Sequence, residues 1–554
     1  MRILSVILLG IFLFSCSNKT EKAIDTIVPE TNVSTWSEEE QLEIKANHQS
    51  TRMRYKLIQS KVNSKEDVWR YAMRDMDGFG EKDYLRLKPF IYEQDIPTIQ
   101  GHVKSGNLTY ENLVKWYIYR IVKYESNPET SLHAIICLSD NAIRLGKYRD
   151  LNKSENDHPI YGMPVLLKDN INTSGCATTA GAVILADNQT EDASIVANLK
   201  KNGAIILGKV NLSEWAYYFC DGCPLGYSAM GGQTLNPYGR YIFETGGSSS
   251  GSGVAMAANY ATAAVGSETS GSIISPSSQN SLVGLKPTIG FLSRTGIVPI
   301  SSTLDTPGPM TRSVNDNAIL LSAMMGRDPE DPVTRLAPES IDVLEGLNDK
   351  ELKDFKLGAN AEFMKADSMY RNMVNMMREK GANIIEYVPS KISLPGFLDV
   401  LNYDMKHDLP KYFKSDAGPE VKARSVSDVI EYNNMDTLLR APYGQGRFMA
   451  SRDDENTVAS IDSIKNNLEV ITRAHYAPHF QEHQLDAVLS INNFESSIAA
   501  MAKYPCLAMP MGYTTKGEPR AMTFIGLRFQ EAKLLQIGRA FEKSFDIRKV
   551  PKGY

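Results

Sequence analysis

The sequence predicts an α/β protein built around one large domain, and three observations carry that reading. Two short apolar runs bounded by turn residues, MPVLL (163–167) and AIILG (204–208), flank a helix-like segment, ASIVANLKKNG (193–203), which closes on Gly203. Strand-like runs return near the C-terminus in DAVLSI (486–491), YPCLAMPMG (504–512) and AMTFIGLRF (521–529). No long linker divides the body between them. Of the 554 residues, 42% are apolar and 23% charged, the ordinary balance of a globular protein with a large core. The net charge of -5 argues against a nucleic-acid partner, which would call for a basic excess or stripe.

At the N-terminus, Arg2 precedes a largely apolar run from Ile3 to Phe14, too short to span a bilayer but suited to a signal-peptide core. Leu13-Phe14-Ser15-Cys16 resembles a bacterial lipobox, which implies removal of residues 1–15 and lipidation of Cys16; an uncleaved anchor is the alternative. Residues 16–35 then read as a polar tether, and the body is expected to be exported and held at a membrane surface. Residues 36–90 carry polar, helix-favouring runs such as SEEEQLEIKANHQSTRMRYKLIQSK and EDVWRYAMRDM, and read as a helical extension. Thr109 is placed to cap a helix whose apolar stripe is Leu113, Tyr117, Ile118, Ile121 and Val122. About 330–480 is helix-rich and reads as a cap or insertion, and EAKLLQIGRAFEKS (531–544) as an amphipathic closing helix.

The cysteines are Cys16, Cys137, Cys176, Cys220, Cys223 and Cys506. With Cys16 lipidated, at least one of the other five has no internal partner. The C-x-x-C pair Cys220 and Cys223 has neither zinc-site nor redox-motif context, so a local disulfide and two thiols both stay open.

GGSSSGSG (246–253) contains only glycine and serine. It is not a linker, because it runs straight into VAMAANYATAAVG (254–266), an apolar, alanine-rich segment expected to be a buried helix. It is not a phosphate loop, because no lysine followed by Ser or Thr completes the pattern. Gly247-Ser-Ser249-Ser-Gly251 fits the G-x-S-x-G nucleophile elbow of α/β-hydrolases. YIF (241–243) would be the preceding strand, and His407, His475, His479 and His483 the downstream bases, so an esterase using Ser249 is one alternative.

Two further stretches favour another chemistry. In GMPVLLKD (162–169) Lys168 directly follows an apolar run; burial lowers a lysine pKa and lets it act as a base. An ion pair with Asp169 is the structural alternative. In GSETSGSI (266–273) a second Gly/Ser loop presents consecutive backbone N–H groups that can converge on a developing oxyanion. A serine with a nearby base is the minimum for acyl transfer.

Together these stretches resemble the amidase signature family. The resemblance rests on GMPVLLKDN, GGSSSGSG, GSETSGSI, ILGKVNLSEWA (206–216), LVGLKPTIGFLSRTGIVPISSTLDTPGPMTRSVND (282–316) and YPCLAMPMGYTTKGEPRAMTFIG (504–526). It extends from about Tyr92 to Phe545, weaker over 330–480, and is similar in texture to peptide amidases. It implies a single amidase-signature domain over 91–554 with a mixed central sheet covered by helices. It also implies a Ser–cis-Ser–Lys triad: Ser272 as nucleophile, Ser248 as bridging serine after a cis peptide bond, and Lys168 as base. The backbone N–H groups of Thr269, Ser270, Gly271 and Ser272 would form the oxyanion hole, with no cofactor and no metal. The substrate would be a small amide or amidated peptide, hydrolysed to acid and ammonia. Two positions depart from the family pattern: Ile274, where many members carry arginine, and Ser270, where glycine or aspartate is usual.

Two other functions compete. The ammonia-producing subunit of a tRNA amidotransferase shares the signature, and export argues against it. A catalytically silent binding lipoprotein of the same fold is opposed by the intact Lys168, Ser248 and Ser272. His475, His479 and His483 fall at i, i+4 and i+8, a spacing that can serve zinc. Pro478 would disturb that helix and no acidic partner is evident, so packing or surface roles are expected for them.

Overall fold

The computed structural model describes residues 36–554; the expected signal peptide, Cys16 and the 16–35 tether lie outside the described residues. The strands are β1 (Ile135–Leu138), β2 (Pro164–Lys168), β3 (Ile205–Val210), β4 (Tyr227–Ser228), β5 (Gly232–Gln233), β6 (Ala263–Glu268), β7 (Val283–Lys286), β8 (Thr306–Thr311), β9 (Lys356–Asn360), β10 (Asn383–Tyr387), β11 (Ala487–Ile491), β12 (Cys506–Tyr513) and β13 (Pro519–Ile525). Among the described residues eleven of them form one mixed sheet, in the order β1-β3-β2-β6-β8-β7-β12-β13-β11-β9-β10, and β4 pairs with β5 alone.

The strand placements follow from burial. β2 is buried along its whole length because it has parallel neighbours on both sides, β3 and β6, and helices over the sheet faces. Continuous apolar runs of this kind belong to doubly covered parallel sheet. The far half of the sheet is antiparallel around β8, β7, β12, β13 and β11, then parallel again at β9 and β10. The Tyr110–Glu125 helix starts where Thr109 accepts the Asn112 N–H at 3.1 Å, and Leu113, Tyr117, Ile118, Ile121 and Val122 are all fully buried. The Glu531–Ser544 helix turns Leu534, Leu535, Ile537 and Phe541 into the same core.

Three local expectations change. VAMAANYATAAVG is not one helix: a helix over Ser250–Ala257 ends there, and β6 begins at Ala263. Alanine is a strong helix former, but propensity is a weak prior against tertiary context, and the central sheet position overrides it here, since small residues let the helix pack closely on the strand. A Cβ on Gly266 of β6 would lie 2.9 Å from Oγ of Ser249, the residue that precedes that helix. YIF (241–243) forms a turn rather than a strand. The 330–480 region is helix-rich but not a cap or insertion alone: β9 and β10 extend the central sheet. Its helices Phe397–Ser415, Val426–Asn434, Gly446–Arg452 and Val458–His483 form a second apolar cluster around Trp215, Phe219 and Phe448.

The extension over 36–90 contains the helices Glu38–Lys45, Lys65–Trp69 and Glu81–Ile91 joined by irregular chain. It is tied to the body by main-chain bonding, as where Gln233 N–H donates to Ile58 O at 2.7 Å. Disulfides join Cys137 to Cys176 and Cys220 to Cys223, and Cys506 is a buried free thiol.

Candidate active site

Because β2 and β6 run parallel side by side, both end at the same edge of the sheet, where open α/β sheets gather ligands. Lys168 ends β2, and Ser267 and Glu268 end β6. Lys168 Nζ lies 2.8 Å from Ser248 Oγ, 2.9 Å from Ser267 Oγ and 3.0 Å from Ser267 O. The side chain is completely buried, and burial pushes its pKa down to about 7, although the carboxylates of Asp305 and Glu268 oppose the shift. The carbonyl of Ser267 can only accept, so Nζ donates to it. In the neutral amine the remaining lone pair is open to a hydroxyl hydrogen.

Asp169, the alternative partner for Lys168, is engaged elsewhere. It faces Lys209 at 3.4 Å, both side chains being wholly buried. Lys209 also donates to Ile171 O at 2.5 Å and Thr178 Oγ1 at 2.9 Å. A second buried lysine thus compensates the carboxylate and leaves Lys168 among hydroxyls.

The Gly/Ser stretch supplies those hydroxyls. The Gly247–Ser248 peptide is cis. Ser248 O accepts the Ser213 N–H at 3.0 Å, and Ser249 N–H donates to Ser272 O at 3.1 Å, so main-chain bonds join the two Gly/Ser loops. The small residues are a packing requirement. Gly246 has φ +67°, and a Cβ there would lie 2.6 Å from Pro276 Cα; on Gly251 it would lie 2.3 Å from Asn211 O.

Ser249 does not serve as a nucleophile elbow. It is fully buried, its Oγ donates to Ser267 O at 3.0 Å and accepts the Ser267 N–H at 3.2 Å, and the expected preceding strand is a turn. It staples the loop to β6. Of the histidines offered as its base, His407 packs against Tyr403, with ring centroids 4.3 Å apart and the rings tilted by 47°.

Ser272 is half-buried, just before the Ile274–Gln279 helix. The carboxylate of Glu268 accepts N–H groups on both sides of it: Gly271 at 2.5 Å, Ile273 at 2.7 Å and Ile274 at 3.0 Å. This corrects one expectation. The Gly271 N–H is turned onto Glu268 rather than toward an oxyanion, which leaves Thr269, Ser270 and Ser272 as the candidate donors. Thr269 Oγ1 donates to Asp305 Oδ1 at 2.5 Å. Asp305 also accepts from the Ile300 and Ser301 N–H groups, and burial raises its pKa to about 6. Ser270 is half-buried and accepts from Ser497 Oγ at 3.4 Å.

Beside these loops is a cavity of about 430 Å³, lined by Asn170, Ser267, Thr269, Asp305, Arg294 and Asp408 among others. Arg294 is held there by a two-pronged contact with Asp331, at 2.6 and 2.8 Å.

His475, His479 and His483 lie on the Val458–His483 helix, which continues through Pro478. His475 is buried, with Nδ1 3.2 Å from Ser390 Oγ and Nε2 3.8 Å from Glu495, an acidic neighbour not evident from the sequence. His479 packs on Tyr387 at 4.2 Å between centroids. Among the described residues no group of three or more His, Cys, Asp or Glu side chains is arranged to hold a metal ion.

Sequence reasoning missed Asn170, Ser267, Glu268 and Asp305. All four stand inside the quoted motifs, but their contacts span up to 128 residues, as in Asn170 Nδ2 donating to Val298 O at 3.2 Å.

A family model described as amidase matches residues 112–535. A probable amidase of Arabidopsis thaliana is 36% identical over 495 residues, spanning 85% of this chain and 94% of that protein. The crystal structure of an amidase family protein from Bacillus anthracis superposes with a TM-score of 0.84 at 34% identity, covering 89% of this chain and 99% of the other. That of the native peptide amidase from Stenotrophomonas maltophilia gives 0.78 at 33% identity, covering 83% and 98%. Sequence and fold agree along nearly the whole described body, and the chain belongs to the amidase signature family, a hydrolase acting on amides.

Proposed function

We propose that the enzyme cleaves its amide through Ser272, with Ser248 as proton bridge and Lys168 as base. The observation that carries this reading is the 2.8 Å contact between Lys168 Nζ and Ser248 Oγ at a buried site, on a loop bonded directly to Ser272 O. Neutral Lys168 accepts the Ser248 proton while Ser248 accepts that of Ser272. Ser272 Oγ then bonds to the carbonyl carbon, and Thr269, Ser270 and Ser272 N–H groups receive the negative oxygen. The C–N bond breaks as the relay returns a proton to the leaving nitrogen, releasing ammonia and leaving an acyl ester on Ser272. Water attacks that ester through the same relay, giving the acid and restoring Ser272.

The substrate we favour is a small polar amide or an amidated peptide. The cavity at Ser267 and Thr269 sets charged and hydroxyl groups, among them Arg294, Asp305, Asp408 and Ser301, beside apolar Ile297, Val298 and Ile300, and the polar groups can orient a small amide. The proposal extends to location, an exported enzyme tethered by lipid on Cys16. The apolar N-terminal run ending at Cys16 supports it, and so do the two disulfides, which persist in oxidising compartments.

The test is ammonia release from an amidated dipeptide, a long-chain fatty amide and an aryl amide by the body lacking residues 1–16, beside Ser272→Ala. Release from the dipeptide amide that vanishes in the variant is expected; equal activity in the variant rejects the assignment. Incorporation of labelled palmitate that is lost in Cys16→Ala tests the anchor.

A further inference from the structure

Glu268 takes no part in the relay, yet among the buried carboxylates it is the one bonded to the backbone around Ser272. It closes β6, where the pairing with β8 fixes it opposite Thr306. One carboxylate oxygen accepts Gly271 N–H, before the serine; the other accepts Ile273 and Ile274 N–H, after it. Bonds from N–H groups to an ionised carboxylate are short and strong, and here they grip a four-residue turn at both ends. On the far side, Ser249 N–H holds Ser272 O. The main chain of Ser272 is therefore fixed from three directions while its side chain carries no such restraint.

We propose that Glu268 is a positioning residue for amide hydrolysis, holding the backbone on both sides of Ser272 so that the serine and the Thr269, Ser270 and Ser272 N–H groups keep one attack geometry. The inference rests on Ser272 being the nucleophile. Glutamine in its place has nearly the same volume but a single acceptor oxygen. Its NH2 group would then face a backbone N–H, donor against donor, on one side of the serine or the other. Misplacing an attacking atom by about 1 Å costs on the order of 100-fold in rate.

Glu268 also contributes negative charge near Lys168, together with Asp305. That charge favours the protonated lysine, so its removal lets Lys168 lose its proton at lower pH. Water entering a loosened core would do the opposite, returning the lysine toward its usual high pKa. The direction of the pH shift therefore separates positioning from simple loss of packing.

The experiment begins with Ser272→Ala on the dipeptide amide; retained activity there sinks the proposed mechanism and this inference together. With that variant inactive, Glu268→Gln is measured for kcat, KM, the pH profile of kcat/KM and the rate at which a fluorophosphonate labels Ser272. The expected result is kcat and labelling lower by about 10- to 100-fold, KM within roughly threefold, and the rising limb of the profile at lower pH. Unchanged kcat, or a limb moved to higher pH, overturns the inference and leaves the triad standing. Should the variant not fold, hydrogen exchange on the wild-type protein reads the same bonds. Slow exchange at Gly271, Ile273 and Ile274 supports the clamp, and exchange at the rate of an open loop refutes it.

Discussion

Lys168 is expected to set the pH dependence of the reaction. Only the neutral amine can take the Ser248 proton, and burial brings the lysine pKa down to about 7. Its folded value is depressed, so the active form accumulates as pH rises, and kcat/KM in the free enzyme should climb through about pH 7 and then level. A profile flat between pH 5 and 9 would mean that another group is the base. Arginine stays charged throughout this range, so Lys168→Arg should lose at least about 100-fold at neutral pH, measured as ammonia release. At this scale the lysine and both serines were legible by resemblance, because the motifs stand intact around them, and the fold brings Lys168 Nζ to within 2.8 Å of Ser248 Oγ. The partners of Asp169 were not legible: Lys209 lies 40 residues on, in a strand whose parallel pairing with β2 is a tertiary fact.

At the scale of elements, the Ser250–Ala257 helix and β6 form the frame that holds both Gly/Ser loops. Gly251 sits in the first turn of that helix, directly over Asn211, whose O accepts the Gly251 N–H at 2.9 Å. Glycine to alanine inside a helix ordinarily gains about 0.5–1 kcal/mol. Here a Cβ would lie 2.3 Å from Asn211 O and 2.5 Å from Asn211 N, both backbone atoms, so the clash decides the sign. Gly251→Ala should destabilise the fold by about 1–3 kcal/mol in urea titration and lower kcat, because the helix must lift away from β3. A variant as stable as the parent would show that the helix has room. The strand–helix–strand order and the closing helix were visible in apolar periodicity. The break between helix and β6 was not, because an alanine-rich run has no period of its own and takes its state from the sheet it joins.

At the scale of the whole molecule, the Cys137–Cys176 disulfide ties edge strand β1 to the chain that follows Lys168. Its cysteines are 39 residues apart, and closing such a loop is worth about 3–4 kcal/mol in the chain-entropy account. Cys137→Ser with Cys176→Ser should therefore lose about 2–4 kcal/mol of unfolding free energy. Removing Cys220–Cys223, which spans 3 residues, should cost less. Equal losses would mean that the two bridges act through native packing rather than loop closure.

An α/β body and a lysine and two serines in family motifs follow from local pattern, since periodicity and motif spacing are written along the chain. Which carboxylate neutralises which lysine, and which N–H groups of the Gly/Ser loop are already bonded to Glu268, depend on chain segments as far apart as β2, β3 and β6. Those are matters of burial and hydrogen-bond closure among distant residues. Only the folded sheet, by setting the ends of β2 and β6 side by side, decides them.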